Sequence, residues 1–221
     1  MKNVVVVAPH ADDESLGAGG TLLRHKAEGH KIHWVIVTSP TTKDYSDDFI
    51  KKRKEQISKI KKIYNFDSLT ELGFEPTSLN TNNFGDLLGK VKSLFNSISP
   101  NVLYTCYPYD AHSDHLFSYK ASIAATKKFR TDSIEKVLMY ETLSETNFSY
   151  SLTDKFNPNY YINVTDYFDQ KMKILSLYDS EIKKHPFPRS KNSIKALAEL
   201  RGSESNTHYA EAFQLLKFYE K

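Results

Sequence analysis

The chain has 221 residues, a net charge of +3 and one cysteine, with 39% apolar and 26% charged residues. That composition describes a globular chain long enough for one sizeable core, and the small charge excess gives no argument for nucleic acid. Cys106 alone excludes a disulfide framework and a thiolate metal cluster. With no signal pattern at the start and no apolar run near the ~20 residues of a membrane span, the expectation is a single domain, 1–221, in a reducing cytoplasm.

Taken in order, strands and helices alternate. Residues 4–7 (VVVV) are an unbroken β-branched run, as in a strand covered on both faces. Pro9 ends it, and residues 15–30 read as a helix. Lys31–Thr38 (KIHWVIVT) reads as a second strand, 49–64 as a helix with an apolar stripe through Ile57, Ile60 and Ile63, and Ser68–Phe74 as a short third strand. A helix over 82–97 follows, ending before Pro100. Residues 102–107 (VLYTCY) make a fourth strand, 116–128 a helix and 136–142 a fifth strand. Such alternation implies an α/β fold, a mostly parallel sheet with helices on both faces. The basic run Lys51, Lys52, Arg53 and Lys54 is followed by Glu55 and reads as a solvated helix face. Gly17, Gly19 and Gly20 match neither the dinucleotide nor the P-loop spacing, so close helix packing is the better reading.

Two stretches carry chemistry. PHADDE, 9–14, follows the first strand, and PYDAHSDH, 108–115, follows the fourth. Both should emerge at the carboxyl edge of the sheet, where open α/β sheets bind ligands. If the two strands are neighbours across a switch point, His10, Asp13, His112 and His115 converge. His10 and Asp13 are three apart, so one tight turn aims both at one ion, and His115 supplies a third ligand from the other loop. Two imidazoles and a carboxylate with an open position for water is a catalytic zinc arrangement. Asp12 is then free to act as general base, and His112 to stabilise an oxyanion or protonate a leaving amine. Asp114 is expected to orient a histidine through its ring nitrogen. Glu14 is read either as a site contact or as a first-turn acid favoured by the helix dipole. Any one of these residues alone reads as a loop residue or helix cap, since Asp is a common N-cap; the paired clusters favour metal binding. His25, His30, His33, His185 and His208 lack such company and are read as structural or surface residues.

The two motifs together resemble the PIG-L/LmbE family of zinc-dependent N-deacetylases, whose pattern is P-H-x-D-D-E followed by P-x-D-x-H-x-D-H. The resemblance implies a Rossmann-like fold and removal of the N-acetyl group from an N-acetylglucosamine-type amino sugar or its conjugate. It implies metal binding by His10, Asp13 and His115, Asp12 as general base and His112 as oxyanion or acid group. The expected cofactor is Zn2+, with Fe2+ or another divalent metal left open. The expected partner is a small acetamido sugar or sugar conjugate, with no nucleic acid and self-association into a homo-oligomer left open. Arg53 with Glu55 is similar to the family's arginine-containing helix, although a surface charge is the preferred reading. Residues 160–164 read as a strand and 166–184 as a helix, and Arg201 with Gly202 fall where the family carries a similar pair, Arg201 standing evenly between the site wall and elsewhere. HPFPRS, 185–190, reads as a proline-bounded turn without chemistry. Two rivals remain: a two-histidine, one-carboxylate iron enzyme and a catalytically silent carbohydrate-binding protein on the same fold.

Overall fold

The structure is a computed structural model that describes residues 1–220. Seven strands among the described residues form one sheet in the order β3-β2-β1-β4-β5-β7-β6. The strands β1 (Asn3–Ala8), β2 (Lys31–Thr38), β3 (Ser68–Phe74), β4 (Val102–Cys106) and β5 (Lys136–Tyr140) pair in parallel. β6 (Tyr160–Asn163) and β7 (Ala210–Phe218) add an antiparallel edge, with β7 inserted between β5 and β6. β7 is a departure from expectation: residues 210–218 carry no strand assignment in the sequence reading, yet they cover the edge of β5.

The valines of β1 explain its central place. Val4 and Val6 pack on one face with Leu22 of α1 (Asp13–Ala27) and Ile60 of α2 (Asp47–Tyr64), joined by Ile174 of α5 (Phe168–Leu175) and Ile194 of α6 (Lys191–Glu204). Val5 and Val7 pack on the other with Val91 of α3 (Phe84–Ile98) and Ala121 of α4 (Ser113–Ala125). All four valines are fully buried, and each contributes on the order of 1.5–3 kcal/mol by leaving water.

Helix α1 is kinked at Ala18 (φ −137°). The Leu16 carbonyl and Gly20 N–H, which a straight helix would join, are taken by a buried ion pair instead. Lys171 Nζ donates to Leu16 O at 2.9 Å and Glu211 Oε1 accepts from Gly20 N at 2.8 Å, while Lys171 and Glu211 lie 2.6 Å apart. The glycine-rich stretch is a packing feature, as its spacing suggested: a Cβ on Gly17 would collide with the Tyr140 ring. The helix expected over 166–184 is shorter, because the chain leaves it after Leu175; Ser176 Oγ bonds back to Met172 O, and residues 176–190 run as turns toward the pocket.

Candidate active site

β1 is hydrogen-bonded to β2 on one side and β4 on the other, so the chain after β1 and the chain after β4 leave the same edge at the point where strand order reverses. After β1 the backbone turns tightly: Asp12 N and Asp13 N both donate to His10 O, and Asp13 Oδ2 accepts from His10 N at 2.9 Å. After β4, His112 stands at the N-cap of α4, its Nδ1 accepting from Asp114 N at 3.1 Å. The two turns meet. Ring centroids of His10 and His112 are 4.4 Å apart, and those of His10 and His115 5.6 Å apart.

His10, Asp13 and His115 form a group whose ligand atoms all lie within 4.8 Å of one another. Asp13 Oδ2 is 3.3 Å from His10 Nδ1 and 3.3 Å from His115 Nε2. His115 Nε2 is buried with no hydrogen-bond partner, a donor atom left open toward the Asp13 carboxylate, so the residues present fit a bound cation. A second grouping, His10 with His112 and Asp114, fits less well. Asp114 already accepts from Thr77 N at 2.7 Å and Leu79 N at 3.3 Å, and the Nδ1 of His112 is occupied by Asp114 N.

Two carboxylates hold the histidines. Asp114 Oδ2 lies 3.2 Å from His10 Nε2, so the histidine that Asp114 orients is His10. The partner of His115 is Asp110, which the sequence reading did not single out. Its Oδ2 is 2.6 Å from His115 Nδ1, and its Oδ1 accepts from Thr146 Oγ1 at 2.6 Å. This carboxylate fixes the proton of His115 on Nδ1 and turns Nε2 toward Asp13. Its signal was present, as the third residue of PYDAHSDH.

The adjacent aspartates differ sharply. Burial disfavours charge on both. Asp13 lies between His115 and His10, which hold its carboxyl well below the usual range. Asp12 has Asp13 and Glu181 nearby, and burial with these negative neighbours pushes it up to about 7. Although Asp12 occupies the N-cap of α1, its side chain makes no capping hydrogen bond, so the helix-cap reading does not account for it. At His112, burial and then the neighbouring His10 lower the pKa to about 4. With its Nδ1 accepting from Asp114 N, the neutral ring carries its proton on Nε2, where it can be donated. Glu14 is fully buried, with Oε1 accepting from Ser15 Oγ at 2.6 Å and Tyr178 OH at 2.9 Å and Oε2 without a hydrogen-bond partner.

His10, Asp12, Asp13 and His112 line a cavity of about 330 Å3, walled further by Tyr45 and Phe49, whose rings stack at 4.9 Å. Arg53, expected on the surface, is buried. It lines the same cavity, donates to Ala11 O at 2.8 Å, bracing the β1 turn, and pairs with Glu181. Arg189, from the turn read as chemically silent, pairs with the same Glu181 at 3.0 Å and lines the cavity. Arg201 does not line it: its guanidinium is held by Glu141 at 2.8 Å and by Glu204.

The switch-point cavity and its histidine and aspartate groups define a candidate metal-binding enzyme site on a Rossmann-like sheet. Residues 5–126 match the PIG-L family, described as GlcNAc-PI de-N-acetylase, and the chain belongs to that family. A protein of Escherichia coli named uncharacterized deacetylase YaiS is 30% identical over 148 residues, covering 65% of this chain and 75% of that one. The structure of N,N'-diacetylchitobiose deacetylase from Pyrococcus horikoshii superposes with a TM-score of 0.77 at 18% identity, covering 98% of this chain and 84% of that one. GalB, the 4-carboxy-2-hydroxymuconate hydratase from Pseudomonas putida, superposes with a TM-score of 0.79 at 16% identity, covering 100% and 98%. The fold is thus shared by proteins named for different reactions. No helix among the described residues is long and apolar enough to cross a membrane.

Proposed function

We propose that the chain is a metal-dependent hydrolase that removes the N-acetyl group from an N-acetylglucosamine-type amino sugar or its conjugate, releasing acetate. The observation that carries this reading is the uncapped Asp12 carboxyl in the cavity that His10 and Asp13 also line, beside the group those two form with His115. A silent binding protein has no use for a free carboxylate beside a complete ligand set. Membership in a deacetylase family supports the reaction class.

A divalent cation held by His10, Asp13 and His115, with Zn2+ the first choice and Fe2+ or another divalent metal the alternative, supplies an acidified water and positive charge for the amide oxygen. Asp12 takes the proton as the water oxygen bonds to the acetyl carbon. His112 donates its Nε2–H to the amide oxygen as negative charge gathers there. Asp12 returns the proton to the nitrogen as the carbon–nitrogen bond breaks, leaving acetate and a free amine. Asp110 and Asp114 keep His115 and His10 aimed. The buried Arg53 holds the Ala11 carbonyl and with it the turn that presents Asp12. A buried, unpaired Cys106 suits a reducing cytoplasm.

The test is acetate release from a panel of N-acetylglucosamine, diacetylchitobiose and N-acetylglucosamine conjugates, with and without chelator and oxygen. Acetate should appear without oxygen, vanish with chelator and return with a divalent metal. Absence of acetate across the panel, or water addition to a carbon–carbon double bond instead, would overturn the proposal.

A further inference from the structure

At the opposite, amino-terminal edge of the sheet a second group of ligand-type side chains stands apart from the site above. Helix α1 ends in a Schellman turn. Gly29 adopts φ +78°, Gly29 N donates to Lys26 O at 3.0 Å, and His30 N donates to His25 O at 3.0 Å. This turn folds the second residue past the cap back over the last helical turn, where an apolar pair ordinarily makes contact. Here both positions are histidine. Their Nδ1 atoms face each other at 2.9 Å, and the rings are 5.1 Å apart.

Two ring nitrogens so placed require a proton between them, or a cation. The far nitrogen of His25 lies 2.9 Å from Tyr104 OH; with the ring N–H donated to that oxygen, the Nδ1 lone pair faces His30. Glu28 completes the group. Its Oε1 accepts from Arg24 Nε at 2.8 Å, and its Oε2 lies 3.8 Å from His30 Nδ1. Ligand atoms of the three residues all fall within 4.8 Å of one another. They border a cavity of about 250 Å3 that also contains Lys2 and Lys136, and Glu28 is exposed, so an ion can enter.

We propose that His25, Glu28 and His30 form a second divalent-metal site. Two imidazoles with a single carboxylate select a late first-row ion, namely Zn2+, Ni2+ or Cu2+, over Mg2+ or Ca2+. The flanking Arg24, Lys2 and Lys136 strengthen that selection, because hard ions depend on net negative charge that this cavity lacks. Bound there, the ion ties the end of α1 to the turn that enters β2, far from the catalytic turns and independent of them.

The test uses the full chain, stripped with chelator and titrated with Zn2+ and, separately, Ni2+. Each variant is compared with the unmodified protein by calorimetry and by metal content after desalting. His30→Ala should bind one equivalent fewer. Glu28→Gln, an exposed change that leaves the turn intact, replaces the one charged ligand by a neutral one and should weaken one equivalent by about tenfold or more, leaving any other unchanged. Mg2+ should bind at neither affinity. Unaltered stoichiometry and affinity in Glu28→Gln and His30→Ala would overturn the proposal; if His30→Ala fails to fold, Glu28→Gln decides alone. Loss of the ion at His10, Asp13 and His115 leaves this difference untouched, so the two readings fail separately.

Discussion

Asp12 and Asp13 are neighbours of identical chemistry that the fold places in opposite fields, one among negative charges and the other between two histidines. Separating the pKa values of adjacent carboxyls is how one site obtains both a base and a permanent anion. Substitutions should therefore sort by neighbour. His115→Ala should lose bound metal, whereas His112→Ala should keep it and turn over slowly; metal content and acetate release measured on the same preparations separate the two, and equal metal loss would show the histidines wrongly assigned. Asp110→Asn should weaken metal binding by about 10–100-fold, since it removes the group that aims His115 Nε2. An unchanged metal affinity would leave Asp110 a bystander. Most of this site was legible because its residues lie in two short motifs next to strands. Asp110 was not distinguished, since only the geometry of the turn into α4 decides which motif carboxylate reaches which imidazole.

Helix α1 shows what a periodic pattern conceals. Residues 15–30 read as a continuous helix, but the break at Ala18 is defined by partners about 150 and 190 residues away, Lys171 and Glu211. Lys171→Met should destabilise the fold by about 3–5 kcal/mol, because it leaves Glu211 charged and buried beside Gly20. Urea denaturation checks this, and a loss under ~1 kcal/mol would mean the pair is dispensable. The turns at 176–190 make a related point: no local spacing reveals that Glu181 receives Arg53 from α2 and Arg189 from its own loop. Burial opposes charge on Glu181, yet Ser180 and these two guanidinium groups hold its carboxyl below the ordinary value. The unfolded chain thus takes up this proton at higher pH than the folded one. The stability contributed by Glu181 is complete above the unfolded value and is lost as pH falls through the lower, folded one. Glu181→Gln should lose less urea stability than the unmodified chain between about pH 6 and about pH 3, and equal losses would contradict the account.

At the scale of the molecule, the β-branched and apolar runs gave the five parallel strands correctly, because a strand buried on both faces writes its environment into every residue. The antiparallel closure by β7 was less visible: AEAFQLLKF alternates only loosely, and what makes it a strand is the open edge of β5. The consequence of that architecture is the switch point between β1 and β4, where two motifs about a hundred residues apart share one cavity. The most direct measurement compares the unmodified chain with Asp12→Asn, quantifying bound metal and acetate release from diacetylchitobiose and N-acetylglucosamine conjugates on the same samples. Metal content should be equal, while acetate release falls by about 10²–10⁴-fold. Unchanged acetate release in Asp12→Asn, or release by chain free of bound metal, would contradict the claim that a base at Asp12 and a cation at His10, Asp13 and His115 work on one water.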